Sequence, residues 1–586
     1  MLKNLSSSIS FLNIIIPITV FLVCYLTNYE RSPVIEISTG RVQGFIDTAR
    51  NGRKFQSFFG IPYAEPPVGK LRFESPQPAK SWNGTLDATI HASECKGYDF
   101  LFVHRVQGEE SCLFLDVLSP MKSLQNSKAL LPVIVYIHGG GFQMGSSQKF
   151  DGRRFMDQEI VLVVIQYRLG IFGFLTTGDD TVKGNMGLKD QVLALKWVKT
   201  NIVNFGGNPN QVTIMGDSAG GCSVHLLMLS PMAKGLFHRA ITMNIVGTSD
   251  MVQYEHSNKI ETLAEYFKCP KTSQEFVDCL RKMDADTLAA FQSSATFKFY
   301  NTPYIMGPSI ESNSTDTDAF LTQNPLTLMK NGEIISKVPW MVGMNENEGL
   351  IFVGILLKFL QVRNLLLDDD LWAESLPHLV FYDAEERHDA AKKIKEHFFG
   401  DTTSTTSLDE TKTIQQLGNL ITEKVFMKPM VESVRMYAMA TSAPVYFYQF
   451  NYRGLLTSFD FLRWTPPIPF IPAELTLFFN FIGETVSRII YGKPQHYFGP
   501  SHGDEIILLF QLPMSPDIAI NYFDLEMSQL LVKTYADFAT FDQPTFQGLK
   551  WPSLNPNNSK IKILERSQFV NCLFASMFSA TFFKEL

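Results

Sequence analysis

The chain has 586 residues, 45% of them hydrophobic and 19% charged, with a net charge of -7. That balance excludes a disordered, collagen-like or small disulfide-stapled chain and leaves a large globular protein. With no long Lys/Arg run to release counterions from phosphates, it excludes a nucleic-acid partner too.

Taken in chain order, the first element is a leader over residues 1–28. Lys3 precedes an almost wholly apolar run from Ile9 to Leu26, and the polar Thr27 to Arg31 follows. This pattern predicts a secretory signal peptide, with an uncleaved signal anchor as the alternative. In both cases Lys3 stays cytoplasmic and the chain after Arg31 enters an oxidising lumen. The expected location is the secretory pathway, ending outside the cell, with the endoplasmic reticulum lumen or a membrane anchor as alternatives. A membrane is a partner only if the leader is retained.

Cysteine usage suits that compartment. Cys24 lies in the leader, and the other six can pair in 15 ways that spacing does not resolve. Two close pairs stand out, Cys95 with Cys112 and Cys269 with Cys279, against the plainer reading of scattered buried thiols. Cys222, within an apolar helical pattern, reads as a core residue. Asn83, Asn313 and Asn557 each open a glycosylation triplet.

Val133 to Ile137 is a continuously apolar, β-branched run, as a strand buried on both faces requires, and Ile160 to Ile165 is a second. Apolar residues then recur at helical spacing from Leu188 to Phe205, and Gly206-Gly207 stops the helix. A short strand, Val212 to Met215, breaks at Gly216 before a helix from Ala219 to Leu229. Further strands are expected at Val338 to Gly343 and Val445 to Phe450, with a last helix around Tyr522 to Phe538. Such alternation predicts an α/β fold with a large, mostly parallel central sheet flanked by helices. Asp401 to Thr406 and Pro466 to Pro472 are linker-like, and Phe459 to Ile482 is a Phe- and Pro-rich stretch that reads as a pocket rim, a lipid contact or a buried connection.

Two glycine-rich turns carry the chemistry. Gly216-Asp217-Ser218-Ala219-Gly220 lies between strand and helix, where small residues allow a tight turn that presents Ser218 as a nucleophile. His138-Gly139-Gly140-Gly141 follows the earlier strand and exposes backbone N–H groups. Donors on Gly140, Gly141 and Ala219 are placed to hold the oxyanion formed when an ester carbonyl is attacked. The Lys-Ser/Thr of a phosphate-binding loop is absent from this turn.

These residues resemble the type-B carboxylesterases, a family that includes cholinesterases and non-catalytic neuroligin-like adhesion proteins. The likeness runs from Val34 to about Leu564. It rests on Phe59-Gly-Ile-Pro-Tyr-Ala-Glu-Pro-Pro, Ser111-Cys112-Leu-Phe-Leu-Asp-Val, the His-Gly-Gly-Gly-Phe run, Tyr167-Arg-Leu-Gly-Ile-Phe-Gly-Phe, Gly187-Leu-Lys-Asp-Gln, Phe205-Gly-Gly-Asn-Pro and the serine turn. The resemblance implies an α/β-hydrolase fold over residues 33–570, one domain with long insertions and a tail at 571–586. It also implies a Ser, Glu, His triad in that chain order.

Glu348 before Gly349 in Met341-Val-Gly-Met-Asn-Glu-Asn-Glu-Gly occupies the family's acid position, with Glu346 read as a solvated loop charge. Of the five histidines after Glu348, His502 alone carries the family's His-Gly-x-Glu pattern. The expectation is a serine hydrolase of lipophilic carboxyl esters, working through an acyl-enzyme with neither metal nor cofactor, on small-molecule substrates. Between Cys95 and Cys112 lie 16 residues without Trp, which removes the aromatic platform of a choline esterase. Asp217 stands where juvenile-hormone-type esterases usually carry Gln, which counts against a hormone esterase. A catalytically silent adhesion relative and an interfacial lipase compete with the carboxylesterase reading.

Overall fold

The computed structural model describes residues 30–101, 104–121, 129–250, 252, 259–297, 306–311, 318–359, 366–380, 387–400, 410–464, 483, 498–512, 522–554, 560–564 and 571–573. The leader, the two linker-like stretches, most of the Phe/Pro-rich segment, Asn313, Asn557 and His496 lie outside these residues.

Eleven strands form one sheet: β1 (Phe45–Thr48), β2 (Lys54–Pro62), β3 (Phe114–Pro120), β4 (Leu131–Ile137), β5 (Val161–Ile165), β6 (Gly207–Asp217), β7 (Arg239–Met243), β8 (Trp340–Asn345), β9 (Val445–Phe450), β10 (Lys560–Leu564) and β11 (Asn571–Leu573). Their spatial order is β11-β10-β9-β8-β7-β6-β4-β5-β3-β2-β1. All pairings from β5 to β10 are parallel, and those at either end are antiparallel. A mostly parallel sheet is therefore what the apolar runs produce, because strands covered on both faces have no polar side to alternate with.

Alternation along each central strand feeds two cores. Val133, Val135 and Ile137 of β4 join Val161, Val163 and Ile214 on one face, whereas Ile134 and Tyr136 join Leu162 and Met215 on the other. Helices α1 (Met186–Asn201), α2 (Ala219–Leu229), α3 (Glu410–Ile421) and α4 (Lys428–Ala440) pack on the first face, and α5 (Asp504–Leu509) with α6 (Tyr522–Phe541) covers the second.

Several boundaries differ from the sequence reading, and three of the differences have a clear physical cause. Helix α1 begins at Met186, directly after Asn185 in the left-handed region, and its expected end is a separate 3₁₀ turn, Ile202–Phe205, closed by Gly206 at φ 80°. Strand β6 starts at Gly207, not Val212, because a register irregularity against β4 absorbs the polar Asn208-Pro209-Asn210, which no apolar pattern reveals. Strand β8 starts at Trp340, since Pro339 has no N–H to give a ladder and Val338 turns back onto the Ser336 carbonyl.

Candidate functional site

The serine turn joins β6 to α2. Ser218 sits at φ 53°, ψ -124°, a strained conformation for a residue with a side chain. Its neighbours make room for it. A Cβ on Gly220 would lie 2.0 Å from the Ile137 carbonyl oxygen, and one on Gly216 would lie 2.4 Å from the backbone of Gly220. The turn therefore abuts the end of β4, and only glycines permit that approach. Ala219 is the first residue of α2, so its N–H has no acceptor within the helix and lies at the helix's positive end.

The glycine run begins directly after β4. Gly140 and Gly141 adopt φ 110° and 62°, and the Gly140 carbonyl accepts from Gln143 and Met144 N–H at 3.0 and 3.1 Å, folding the loop tightly. Two contacts fix it. Tyr167 donates its hydroxyl to the His138 carbonyl at 2.8 Å, and Gly139 N–H donates to Asp217 Oδ1 at 3.0 Å. The same Asp217 oxygen accepts from Tyr136 at 2.6 Å. Thus the residue before the serine ties its strand to the glycine loop. Burial pushes the Asp217 carboxyl up, opposed by the Tyr136 hydrogen bond and the charge of nearby His502. Burial also lowers the His138 imidazole to about 4, so it is neutral at physiological pH.

Glu348 follows β8 and is completely buried. His502 Nδ1 donates to Glu348 Oε2 at 2.6 Å, while Glu348 Oε1 accepts from Asn345 N–H at 2.6 Å and Asn244 Nδ2 at 3.0 Å. The His502 loop is pinned on three sides. Asn347 N–H donates to the Pro500 carbonyl at 3.0 Å, Asn345 Nδ2 to the Ser501 carbonyl at 2.5 Å, and the Ser458 hydroxyl to the His502 carbonyl at 2.6 Å. Asp504 closes the turn by accepting from Ser501 N–H at 2.8 Å and Ser458 N–H at 2.6 Å. The Phe426 ring, on a π-helical turn (Thr422–Met427) between α3 and α4, stands 5.3 Å from the imidazole. With Nδ1 committed to the carboxylate, the imidazole's Nε2 is left as the proton acceptor.

The structure thus brings His502 and Glu348 into direct contact and sets Ser218 at the strand–helix turn, beside the loop bearing Gly140 and Gly141. Glu346 is exposed. His388 and His397 lie on a separate helix, Arg387–Phe399, and His378 on Asp369–Val380. Cys95 with Cys112 and Cys269 with Cys279 are disulfide-bonded, and Cys222 is a buried free thiol. Asn83 is exposed just before a short strand, Thr85–Asp87.

Sequence reasoning passed over the supporting residues Asn244, Ser458, Asp504 and Glu505. Glu505 had a signal, as the last residue of the His-Gly-x-Glu pattern. Asn244 had only its position as a single polar residue after an apolar strand. Among the described residues no helix is long and apolar enough to cross a membrane.

The sequence profile of the carboxylesterase family matches residues 31–575. The chain is 35% identical to venom carboxylesterase-6 of Apis mellifera, over 92% of this chain and 91% of that protein. It is 38% identical to esterase E4 of Myzus persicae, over 90% and 89%. Among solved structures, juvenile hormone esterase from Manduca sexta, crystallised with OTFP covalently attached, superimposes with a TM-score of 0.77 at 25% identity, covering 94% of this chain and 99% of that one.

Proposed function

Since the chain belongs to the carboxylesterase family and is a carboxylic ester hydrolase of α/β-hydrolase fold, we propose that Ser218, His502 and Glu348 are its catalytic triad and lipophilic carboxyl esters its substrates. The observation that carries this reading is the 2.6 Å hydrogen bond from His502 to a carboxylate with no solvent access. Such a pair fixes the imidazole's tautomer and stabilises the imidazolium.

In the proposed cycle His502 Nε2 takes the Ser218 hydroxyl proton as Oγ attacks the acyl carbon. Negative charge moves to the carbonyl oxygen, where the N–H groups of Gly140, Gly141 and Ala219 receive it, and preorganised donors of this kind contribute about 3–4 kcal/mol each to the transition state. The imidazolium then protonates the departing alkoxide, and an ester of Ser218 remains. Water gives a proton to His502, attacks the same carbon and releases the acid, returning the proton to Ser218.

The two disulfides suit an oxidising compartment and support entry into the secretory pathway. Asn83, Asn313 and Asn557 are the proposed glycosylation positions. The Cys95–Cys112 loop without Trp favours neutral esters over choline esters.

The test is hydrolysis of a short-chain p-nitrophenyl ester by the wild-type protein and Ser218→Ala, with an organophosphate as covalent probe. Burst release lost in the variant, with the label on Ser218, is expected. Equal and negligible turnover in both proteins, with no label, would overturn the assignment in favour of a silent binding protein.

A further inference from the structure

Beside the His502–Glu348 pair lies a second carboxylate that the cycle above does not use. Glu505, in the first turn of α5, is completely buried. One amide group joins the two acids: Asn244 Nδ2 donates to Glu505 Oε1 at 2.7 Å and to Glu348 Oε1 at 3.0 Å. Asn244 is itself held in the left-handed region at φ 73°, directly after β7, with its N–H on the Gly343 carbonyl at 2.8 Å. A bridge on such a constrained backbone has little freedom to turn elsewhere.

The two acids are not equivalent. Glu348 accepts hydrogen bonds from Asn345 N–H, Asn244 and His502, all of which favour its anion. Glu505 is held less fully: Asn244 is its close donor, the Asn345 side chain and its own N–H also favour its anion, and Oε2 has no hydrogen bond of good geometry, nor do the side-chain oxygens of Asn244 and Asn345. The cluster is therefore rich in acceptors and short of a donor, a deficit that a carboxyl proton would correct. Two joined buried carboxylates do not readily carry two charges.

We propose that Glu505 holds the proton of a carboxyl pair whose anion is Glu348, making Glu505 a positioning residue that keeps Glu348 charged and oriented toward His502. This inference rests on the triad assignment above. The surroundings agree with it. Tyr136 on β4, Tyr448 on β9 and Tyr535 on α6 are electrostatically linked to Glu505, and burial keeps each phenol neutral, so none of them supplies a positive charge that would hold Glu505 as an anion. Burial pushes Asp504, next to Glu505 on α5, up to about 7. Burial, and then the charge of Glu348, pushes the Glu505 carboxyl up to about 8 against the opposing hydrogen bonds of its own N–H, Asn345 and Asn244.

The test compares wild type, Glu505→Gln, Glu505→Ala and Ser218→Ala by kcat and KM across pH 5 to 10, with an infrared difference spectrum of the carboxyl region at neutral pH. Glu505→Gln, which mimics the neutral acid, should keep kcat within about threefold, whereas Glu505→Ala should lose about tenfold in kcat with little change in KM. The wild-type pH profile should carry an inflection near pH 8 that Glu505→Gln lacks. A protonated-carboxyl band should also be missing from Glu505→Gln. If Glu505→Gln loses as much activity as Glu505→Ala, or the band and inflection persist in it, the proposal is overturned. Should Glu505→Ala fail to fold, Glu505→Gln alone decides. Wild-type turnover in Ser218→Ala would instead bring down the triad assignment and this inference with it, a result separable from any Glu505 outcome.

Discussion

Asp217 shows how a residue beside the proposed nucleophile can matter by holding the backbone around it. Its Oδ1 holds Gly139 and Tyr136 at once, so the loop carrying Gly140 and Gly141 is registered against the strand carrying Ser218. Removing that acceptor in Asp217→Ala should lower kcat about ten- to hundredfold, because an oxyanion loop displaced by a fraction of an ångström loses the alignment of its donors. Asp217→Asn, which retains an acceptor oxygen, should recover much of the loss, as steady-state kinetics on a p-nitrophenyl ester would read. Buried acids also govern how stability responds to pH. Asp504 and Glu505 are pushed up to about 7 and about 8, while unfolded carboxyls titrate near 4. Between those values the folded chain binds the extra protons, so their stabilising contribution is complete below about pH 4 and is lost as pH rises through the folded values. The midpoint of thermal unfolding should therefore fall from pH 5 to pH 9, and Glu505→Gln should fall less. A steeper fall in the variant would contradict the assignment of Glu505 as the protonated acid.

At the level of elements, what sequence could reveal depended on whether a segment is recognised by its own pattern or by its partners. Helix α2 and strand β9 end where the apolar patterns end, because each is buried along its whole length and nothing interrupts the periodicity. Strand β6 was half hidden, since its first residues are Gly, Asn and Pro held in place by β4 rather than by any strand-like composition. In the same way Ser218 and the glycine loop were visible as turns with local signatures. Glu348 and His502 needed the family's chain order, because the contact between residues 154 positions apart has no local trace. Two predictions belong here. Gly220→Ala would drive a methyl group into the Ile137 carbonyl, and a backbone collision at the junction of β4 and α2 should cost at least about a hundredfold in turnover, read by the same ester assay. The Cys269–Cys279 disulfide links a helix spanning Lys259–Phe267 to one spanning Ser273–Arg281. Replacing both cysteines with serine should lower stability by about 2–3 kcal/mol, seen as an earlier midpoint in denaturant.

Across the whole molecule, the sheet acts as a frame whose carboxyl edges collect residues from distant parts of the chain. Ser218 leaves β6, Asn244 leaves β7 and Glu348 leaves β8, all neighbouring parallel strands, so their ends open on the same side. His502 is not on a strand at all and reaches that edge only because Asn345, Asn347 and Ser458 grip its loop. This arrangement bears on the protein's birth as well as its chemistry. During synthesis the proposed nucleophile Ser218 emerges almost 300 residues before His502, the proposed base, and the residues that grip the His502 loop, Asn345, Asn347 and Ser458, all emerge between the two. On that assignment a chain that holds β4, β6 and the serine turn but not yet the segment bearing His502 lacks its base, so ester hydrolysis waits for that segment.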